Sequence, residues 1–329
     1  MKKRYMIPII LFSIALAGCG NKNENLGSDK IQLYDSADDI TYRQEENETN
    51  NVIMDEKENP DTDIKSPDNE SIDVESVNDE TADTGNDESK DDDIENASKV
   101  TAFGDKSTMN NNVNGRELPI YCVDTDENKV ALSFDAAWGA EDTQNILDIL
   151  KKHDIHVTFF ATGGWVESYP DDVKAVLAAG HDLGNHSENH KNMSKLSNEE
   201  KEEEIMSVHR KVKELTGYDM FLFRPPYGDY DNDVINVLKD CGYYAIQWDV
   251  DSLDWQNKGV DSIIETVTKH KNLGNGSIIL CHNGAEYIVQ ALDTLITDLQ
   301  EQGYEIVPVS ELIYKDGFHL NHEGRQIQD

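Results

Sequence analysis

The chain has 329 residues and carries 66 acidic against 29 basic side chains, a formal net charge of −37. Such strong acidity argues against a nucleic-acid-binding protein, and the length allows two ordinary domains. The three cysteines that follow Cys19 are odd in number, which does not indicate a disulfide framework.

The first 19 residues are typical of a lipoprotein signal peptide. A basic start, Met1–Tyr5, precedes an almost entirely apolar run from Met6 to Ala17, which is short for a membrane-spanning helix. The run ends in Leu-Ala-Gly-Cys, which resembles the bacterial lipobox. We therefore predict that Cys19 is lipidated and anchors the protein to the outer side of the cell membrane, since two acyl chains suffice for stable anchoring. A plain secretory signal and an uncleaved anchor are the alternatives.

Residues 20–115 are predicted to be a disordered acidic linker. Within residues 21–100, 26 acidic and 7 basic side chains give a net charge of −19. Large apolar side chains are few, so the segment cannot bury enough surface to offset the entropy lost on ordering. We interpret it as a solvated tether, and an acidic arm for a cationic partner is the alternative.

Residues 116–315 alternate between strand-like and helix-like runs and are predicted to form one α/β domain, followed by a polar tail over 316–329. The strands are short and apolar, as in a parallel sheet covered by helices. This pattern fits an open doubly wound sheet and a β/α barrel equally well. The predicted strands are 129–135, 156–160, 182–184, 220–223, 243–250, 277–281 and 304–309. The predicted helices are 141–153, 170–180, 198–216, 231–240, 260–270 and 287–300.

Polar residues suited to chemistry follow five of these seven strands. In a β/α fold the carboxyl ends of the strands share one face, and that face carries the active site. We therefore predict an enzyme whose site residues converge there from distant parts of the chain. These residues are Asp135, His186, His190, Arg224, Asp251, Asp254 and His282.

The motifs around these residues resemble those of the NodB-homology polysaccharide deacetylases, carbohydrate esterase family 4, over roughly residues 115–315. The motifs occur in the family's order and are Ser133-Phe134-Asp135, His186-Ser187-Glu188-Asn189-His190, Arg224-Pro225-Pro226-Tyr227, Asp251-Ser252-Leu253-Asp254-Trp255 and Leu280-Cys281-His282. The resemblance implies a distorted, incomplete β/α barrel. It also implies a metal-dependent hydrolase that removes N-acetyl groups from amino sugars of a cell-wall or extracellular polysaccharide. We expect the enzyme to be a monomer.

The resemblance further implies an acid and a base. Asp135 would be the general base and Arg224 would orient it, whereas His282 would protonate the leaving nitrogen and Asp254 would hold the protonated imidazole. The simpler alternatives are a helix cap for Asp135 and a surface ion pair for Arg224.

His186 and His190, four residues apart, would bind the metal, which acidifies its bound water and polarises the carbonyl. Zinc suits two imidazoles best, and cobalt or nickel would also bind. The alternative is a pair of unrelated surface histidines. The implied substrate contacts are the backbone N–H of Tyr227 as oxyanion donor, Trp255 in the acetyl pocket, and Leu280. Trp255 could also be a core aromatic, and the two roles are compatible.

One residue departs from the family pattern. Its opening motif has two adjacent aspartates, a base and a metal ligand, but here Ala136 follows Asp135. Water could complete a weaker metal site, Glu141 or Asp142 could reach in, or Asp135 could itself bind the metal and be lost as a base. The last outcome favours a catalytically weak or inactive polysaccharide-binding protein, which is the alternative to the deacetylase.

Overall fold

The computed structural model describes residues 103–329. The predicted signal peptide with Cys19, and the linker as far as residue 102, lie outside the described residues. Within residues 103–329, no helix combines the length and apolar character needed to cross a bilayer.

The centre of the described fold is a curled sheet of parallel strands. Its strands are β5 (Lys129–Ala136), β6 (Thr158–Ala161), β7 (Asp182–Asn185), β8 (Leu222–Phe223), β9 (Tyr244–Ala245), β10 (Val250–Asp251), β11 (Ile278–His282) and β12 (Glu305–Val307). The strand order is β10-β11-β5-β6-β7-β8-β9, and β12 pairs with the start of β5. These pairings confirm the predicted α/β fold with an incomplete barrel.

Helices follow most of these strands, and most of the helices pack on the outer face of the sheet. They are α1 (Thr143–Lys152), α2 (Gly163–Ser168), α3 (Pro170–Ala178), α4 (Asn198–Thr216), α5 (Asn232–Asp240), α6 (Val260–Thr268), α7 (Ile288–Glu301) and α8 (Val309–Leu312). The longest helix shows why the ends were predictable. Ser197 and Glu200 form a reciprocal capping box at its start, and Gly217, with φ of 77°, ends it.

The two faces of β5 differ in what they contact. One face packs in the outer apolar cluster, which lies between the sheet and the helices. Its fully buried residues on β5 are Val130, Leu132, Phe134 and Ala136. Ala131 belongs to a second cluster on the opposite face. Because side chains alternate along a strand, Asp135 lies on the Ala131 face, inside the curl of the sheet.

Residues at both ends of the described region form a smaller sheet, contrary to part of the prediction. Its strands are β1 (Met109–Asn110), β13 (Phe318–Leu320), β14 (Arg325–Gln328) and β4 (Cys122–Val123), in that order. A separate hairpin joins β2 (Asn112–Val113) and β3 (Arg116–Glu117). Residues 103–115 are therefore part of the fold rather than of a disordered linker. The polar tail, 316–329, contributes two paired strands, with Phe318 and Leu320 buried.

The predicted fifth strand, 243–250, is wrong as a single element. It is divided into β9 and β10, which lie at the two opposite edges of the sheet. Gln247 and Trp248 lie in the segment that crosses between them. The apolar run Tyr-Ala-Ile-Gln-Trp-Asp-Val gave no local signal for this break, because both halves are buried.

Candidate active site

Asp135 occupies the carboxyl end of β5, facing into the curl of the sheet, and is only 6% exposed. Its Oδ1 accepts a hydrogen bond from Nη1 of Arg224 at 2.7 Å. Burial by itself raises the pKa of this carboxyl, but the positive charge of Arg224, followed by the effects of the neighbouring His186 and His282, outweighs burial, and the pKa of Asp135 lies below its usual value. Asp135 is therefore an anion at neutral pH.

Arg224 is fully buried and held by contacts of three kinds. Besides its bond to Asp135, its Nη2 donates to Oγ of Ser133 at 2.9 Å and to the carbonyl of Gln247 at 3.3 Å. Its guanidinium lies 4.2 Å from the ring centre of Phe160. A planar cation fixed in this way also fixes Asp135, so the orienting role predicted for Arg224 agrees with its contacts.

His282 ends β11 directly beside Asp135, because the two residues are register partners on neighbouring parallel strands. Its Nδ1 donates to Oδ1 of Asp254 at 2.7 Å, and its backbone N–H donates to Oδ2 of the same carboxylate at 2.7 Å. Burial lowers the pKa of His282, but Asp254, Asp135 and Asp251 together raise it to about 9. The imidazole is therefore protonated at neutral pH, as a general acid must be.

The two predicted metal ligands face the same space as Asp135. Nδ1 of His186 donates to the carbonyl of Arg224 at 2.7 Å, which leaves Nε2 with its lone pair, 3.5 Å from Oδ2 of Asp135. The ring of His190 meets that of His186 edge-on at 4.9 Å. Burial, followed by the neighbouring His186, lowers the pKa of His190 to about 3, and burial also lowers the pKa of His186. Both rings are therefore neutral donors.

These donors do not form a complete metal site. Among residues 103–329, no three His, Cys, Asp or Glu side chains are placed to hold one ion. Ala136 is fully buried and packs in the outer apolar cluster. Glu141, one of the candidate substitutes, accepts a hydrogen bond from the backbone of Ala140 through Oε2. The chemistry of two neutral imidazoles suits zinc, but the described set is one anionic ligand short.

The three predicted substrate contacts lie on the loops and strand ends around this centre. Tyr227 has φ of 60° within the turn Pro226–Gly228, and its ring meets His190 edge-on at 4.6 Å. Trp255 is half-buried in the short helical turn Asp254–Gln256. Leu280 is 3% exposed on β11 and alternates with residues of the outer cluster, so it lies on the inner face.

The sequence prediction missed several residues of the site. Ser133 precedes Asp135 by two residues on the same face of β5, and this period-2 spacing was the available signal. Asn283 donates its backbone N–H to the carbonyl of Asp135 at 2.9 Å. Trp138, three residues after Asp135, is 62% exposed and lies edge-on to His190.

A family model and curated relatives match the folded region of the chain. The polysaccharide deacetylase family model matches residues 123–246. The peptidoglycan-N-acetylglucosamine deacetylase of Bacillus cereus is 37% identical over 196 residues, which cover 58% of this chain and 91% of that protein. The uncharacterized protein YlxY of Bacillus subtilis is 34% identical over 195 residues, covering 59% of this chain and 60% of YlxY.

A solved structure adds a contrasting relative. BA3943 from Bacillus anthracis, described as a CE4 family pseudoenzyme, superposes with a TM-score of 0.58 at 34% identity, over 60% of this chain and 69% of that chain. A mutant of BA3943 is described as having restored enzymatic activity. The sequence matches and the similar fold show that the chain belongs to the polysaccharide deacetylase family.

Proposed function

We propose that this protein is an N-deacetylase that removes acetyl groups from amino sugars of a cell-wall polysaccharide. The observation that carries the proposal is the pairing of Asp135 with His282 on adjacent strands, a buried anion beside a protonated imidazole. Each is fixed by a further buried partner, Arg224 for Asp135 and Asp254 for His282. A site that only bound sugar would not require this opposed pair.

The reaction that fits is hydrolysis of the acetamide. Asp135 takes a proton from water through Oδ2, the oxygen that Arg224 does not bind. The water oxygen then attacks the carbonyl carbon, and the backbone N–H of Tyr227 is our proposed donor to the resulting oxyanion. His282 delivers a proton to the nitrogen as the carbon–nitrogen bond breaks. Acetate and the free amino sugar are the products. Since the donor set of His186 and His190 is incomplete, no step is assigned to a metal.

The low pKa of Asp135 bears on the expected rate. A carboxylate that Arg224 stabilises as an anion is a weak base, so it removes a proton from ordinary water slowly. If His186 and His190 do hold a divalent ion, we propose zinc, with cobalt or nickel as the alternatives. We expect turnover to increase when zinc is added in excess.

The substrate proposal depends on the relatives. The B. cereus relative is named for peptidoglycan N-acetylglucosamine, and this chain covers 91% of its length. We extend that substrate class here, to N-acetylated sugars of the wall. The lipobox-like run ending at Cys19 supports a lipoprotein held on the outer side of the cell membrane, where wall polysaccharide lies.

A second candidate function is polysaccharide binding without turnover. The observation that favours it is Ala136 in place of the family's second aspartate. BA3943, a relative of similar fold that is described as a pseudoenzyme, is a precedent for it. In this case the site would keep its sugar contacts, and Asp135 and His282 would only shape the surface that binds the sugar.

Acetate release separates the two candidates. The full-length protein is incubated with peptidoglycan glycan strands and with oligomers of N-acetylglucosamine, with and without zinc, alongside Asp135→Asn. Acetate release by the wild type that Asp135→Asn abolishes supports the deacetylase. Glycan binding by both proteins without acetate release, at any zinc concentration, supports the binding protein and rejects the enzyme.

A further inference from the structure

Trp138 is the large apolar side chain that the described part of the chain leaves exposed, at 62% of its surface. We propose that its indole is a stacking platform for a sugar ring of the polysaccharide, next to the ring that carries the reacting acetyl group. This inference depends on the saccharide substrate of the proposed function and adds a specificity-determining residue to it.

The position of Trp138 links it to the site. It lies on the loop after β5, three residues beyond Asp135. Its ring meets His190 edge-on, with 5.0 Å between ring centres, and His190 in turn meets Tyr227 at 4.6 Å. His190 therefore contacts both the indole of Trp138 and the ring of Tyr227. A sugar seated on the indole would therefore be a close neighbour of one placed at Asp135 and His282.

The backbone beneath Trp138 is held in place. The carbonyl of the next residue, Gly139, accepts a hydrogen bond from Nε1 of Trp165 at 2.7 Å, and Trp165 is only 1% exposed. On the other side, the carbonyl of Trp138 approaches Gly284 so closely that a Cβ there would lie 2.9 Å from it. Gly284 also has φ of 90°, which favours glycine. The exposed indole is thus displayed by an anchored loop, which limits the entropy lost when a ligand binds.

The chemistry of the indole favours a sugar over other occupants. One face of a pyranose ring consists of C–H bonds, which pack well on the electron-rich face of an aromatic ring. A bilayer or a second copy of the chain would require a contiguous apolar patch. Trp138 is isolated from other exposed large apolar side chains within residues 103–329. A single wide ring beside a polar site matches a polyhydroxylated ligand.

The test is binding to a tetramer of β-1,4-linked N-acetylglucosamine and to soluble peptidoglycan glycan strands, measured by calorimetry with full-length protein. All variants carry Asp135→Asn, so turnover does not disturb the measurement. We expect Trp138→Ala to raise Kd by about tenfold. Trp138→Phe, which keeps an aromatic face, should recover most of the affinity. Tyr304→Ala is the control, since it removes an aromatic ring just before β12, at the amino ends of the strands and so at the end of the sheet opposite to Asp135.

The outcomes are distinct from those of the acetate assay. An unchanged Kd in Trp138→Ala overturns the platform, even if the enzyme deacetylates. A Trp138-dependent Kd supports it, even if no acetate is ever released. Absence of glycan binding by the protein with Trp138 intact also overturns it. A loss of binding to phospholipid vesicles in Trp138→Ala, with glycan affinity unchanged, would assign the indole to the membrane instead.

Discussion

Arg224 binds two side chains of the same strand, Oδ1 of Asp135 at 2.7 Å and Oγ of Ser133 at 2.9 Å. The two acceptors are separated by one residue, so they lie on the same face of β5 and match the spacing of the guanidinium nitrogens. This contact leaves Oδ2 of Asp135 free of Arg224, 3.5 Å from Nε2 of His186. Arg224 therefore fixes which oxygen of the base is available.

Loss of Arg224 should destabilise the fold strongly, because Asp135 is a buried anion that would lose its partner. We expect Arg224→Met to lower the free energy of unfolding by about 3–5 kcal/mol, the range typical of breaking a buried ion pair. Urea denaturation measures this value. The control is the double mutant Arg224→Met/Asp135→Asn, which removes the stranded charge and should recover part of the loss. If the two effects simply add, Arg224 and Asp135 are not coupled and the assigned pairing is wrong.

Asp135→Asn and His282→Gln should each abolish acetate release in a protein that still folds. Asp135→Asn should also melt at a lower temperature, because it removes the anionic partner of the buried Arg224. In the first variant the new amide oxygen can still accept a bond from Arg224 but cannot take a proton from water. In the second variant the new amide cannot supply a proton to the leaving nitrogen. Acetate release on glycan strands, with matched thermal melts, is the measurement. His322→Gln, an exposed histidine far along the sequence, serves as the control. Wild-type turnover in either site variant would refute the acid–base assignment.

The raised pKa of His282 predicts a basic limit to activity. Its pKa of about 9 keeps the acid protonated at neutral pH, so kcat should fall as pH rises through about 9. Asp254→Asn should move this limit to lower pH, because the carboxylate is the main group that raises the pKa. Asp329→Asn, which alters an exposed His319–Asp329 pair, should leave it unchanged. An unmoved basic limit in Asp254→Asn would contradict the role of His282.

The same pKa shift affects stability in a defined direction. The folded protein binds the proton of His282 more tightly than the unfolded chain, whose histidines titrate near their ordinary pKa of about 6.5. The stabilisation is complete below about pH 6.5 and decreases as pH rises towards about 9, where it is lost. The wild type should therefore lose more unfolding free energy over this interval than His282→Gln.

The alternating strands and helices of the α/β domain were largely predictable from the sequence, for identifiable physical reasons. Helix ends matched to within a few residues because caps such as Ser197 and Gly217 are local signals. The division of β9 from β10 and the pairing of β1 and β4 with β13 and β14 were missed, because they depend on contacts between distant segments. Such long-range pairing leaves no period in the sequence.

The candidate site was predictable as a set of residues but not in its detailed arrangement. Strand-end placement brought Asp135 and His282 together, as expected. The face on which Ala136 packs could not be assigned from the motif alone. In the structure Ala136 packs in the outer apolar cluster. Trp138 gave no pattern at all, since exposure of a single aromatic side chain depends on the folded surface.

Lipidation of Cys19 remains a prediction from the run Leu16–Cys19. Cys19→Ser should accumulate as an unprocessed precursor that lacks lipid, because only the cysteine thiol can receive the diacylglyceryl group. Fatty-acid labelling and membrane fractionation of cells measure this. Cys122→Ser, a change at a buried cysteine of the folded region, is the control and should be labelled like the wild type. Equal labelling of Cys19→Ser and wild type would exclude the lipoprotein interpretation.

Ala136→Asp should make the thermal stability of the protein depend on bound metal. Ala136 is fully buried among apolar side chains, so a carboxylate placed there without a partner should lower the melting temperature of the metal-free protein. If the end of β5 turns that carboxylate towards His186 and His190, zinc gains an anionic ligand and its affinity should rise by at least about tenfold, or about 1.4 kcal/mol. Zinc should then raise the melting temperature of Ala136→Asp far more than that of the wild type, because a ligand stabilises the state that binds it.

Ala136→Asn is the matched control, with the same size and no charge. It should show the loss of stability without zinc and little recovery when zinc is added. Calorimetric titration and thermal melts with and without zinc measure both effects. The contrary result is equal zinc affinity in Ala136→Asp and wild type, with a melting temperature that zinc does not restore. It would show that the side chain at position 136 stays on the outer face. His186 and His190 would then either bind no metal or bind it with the help of another side chain.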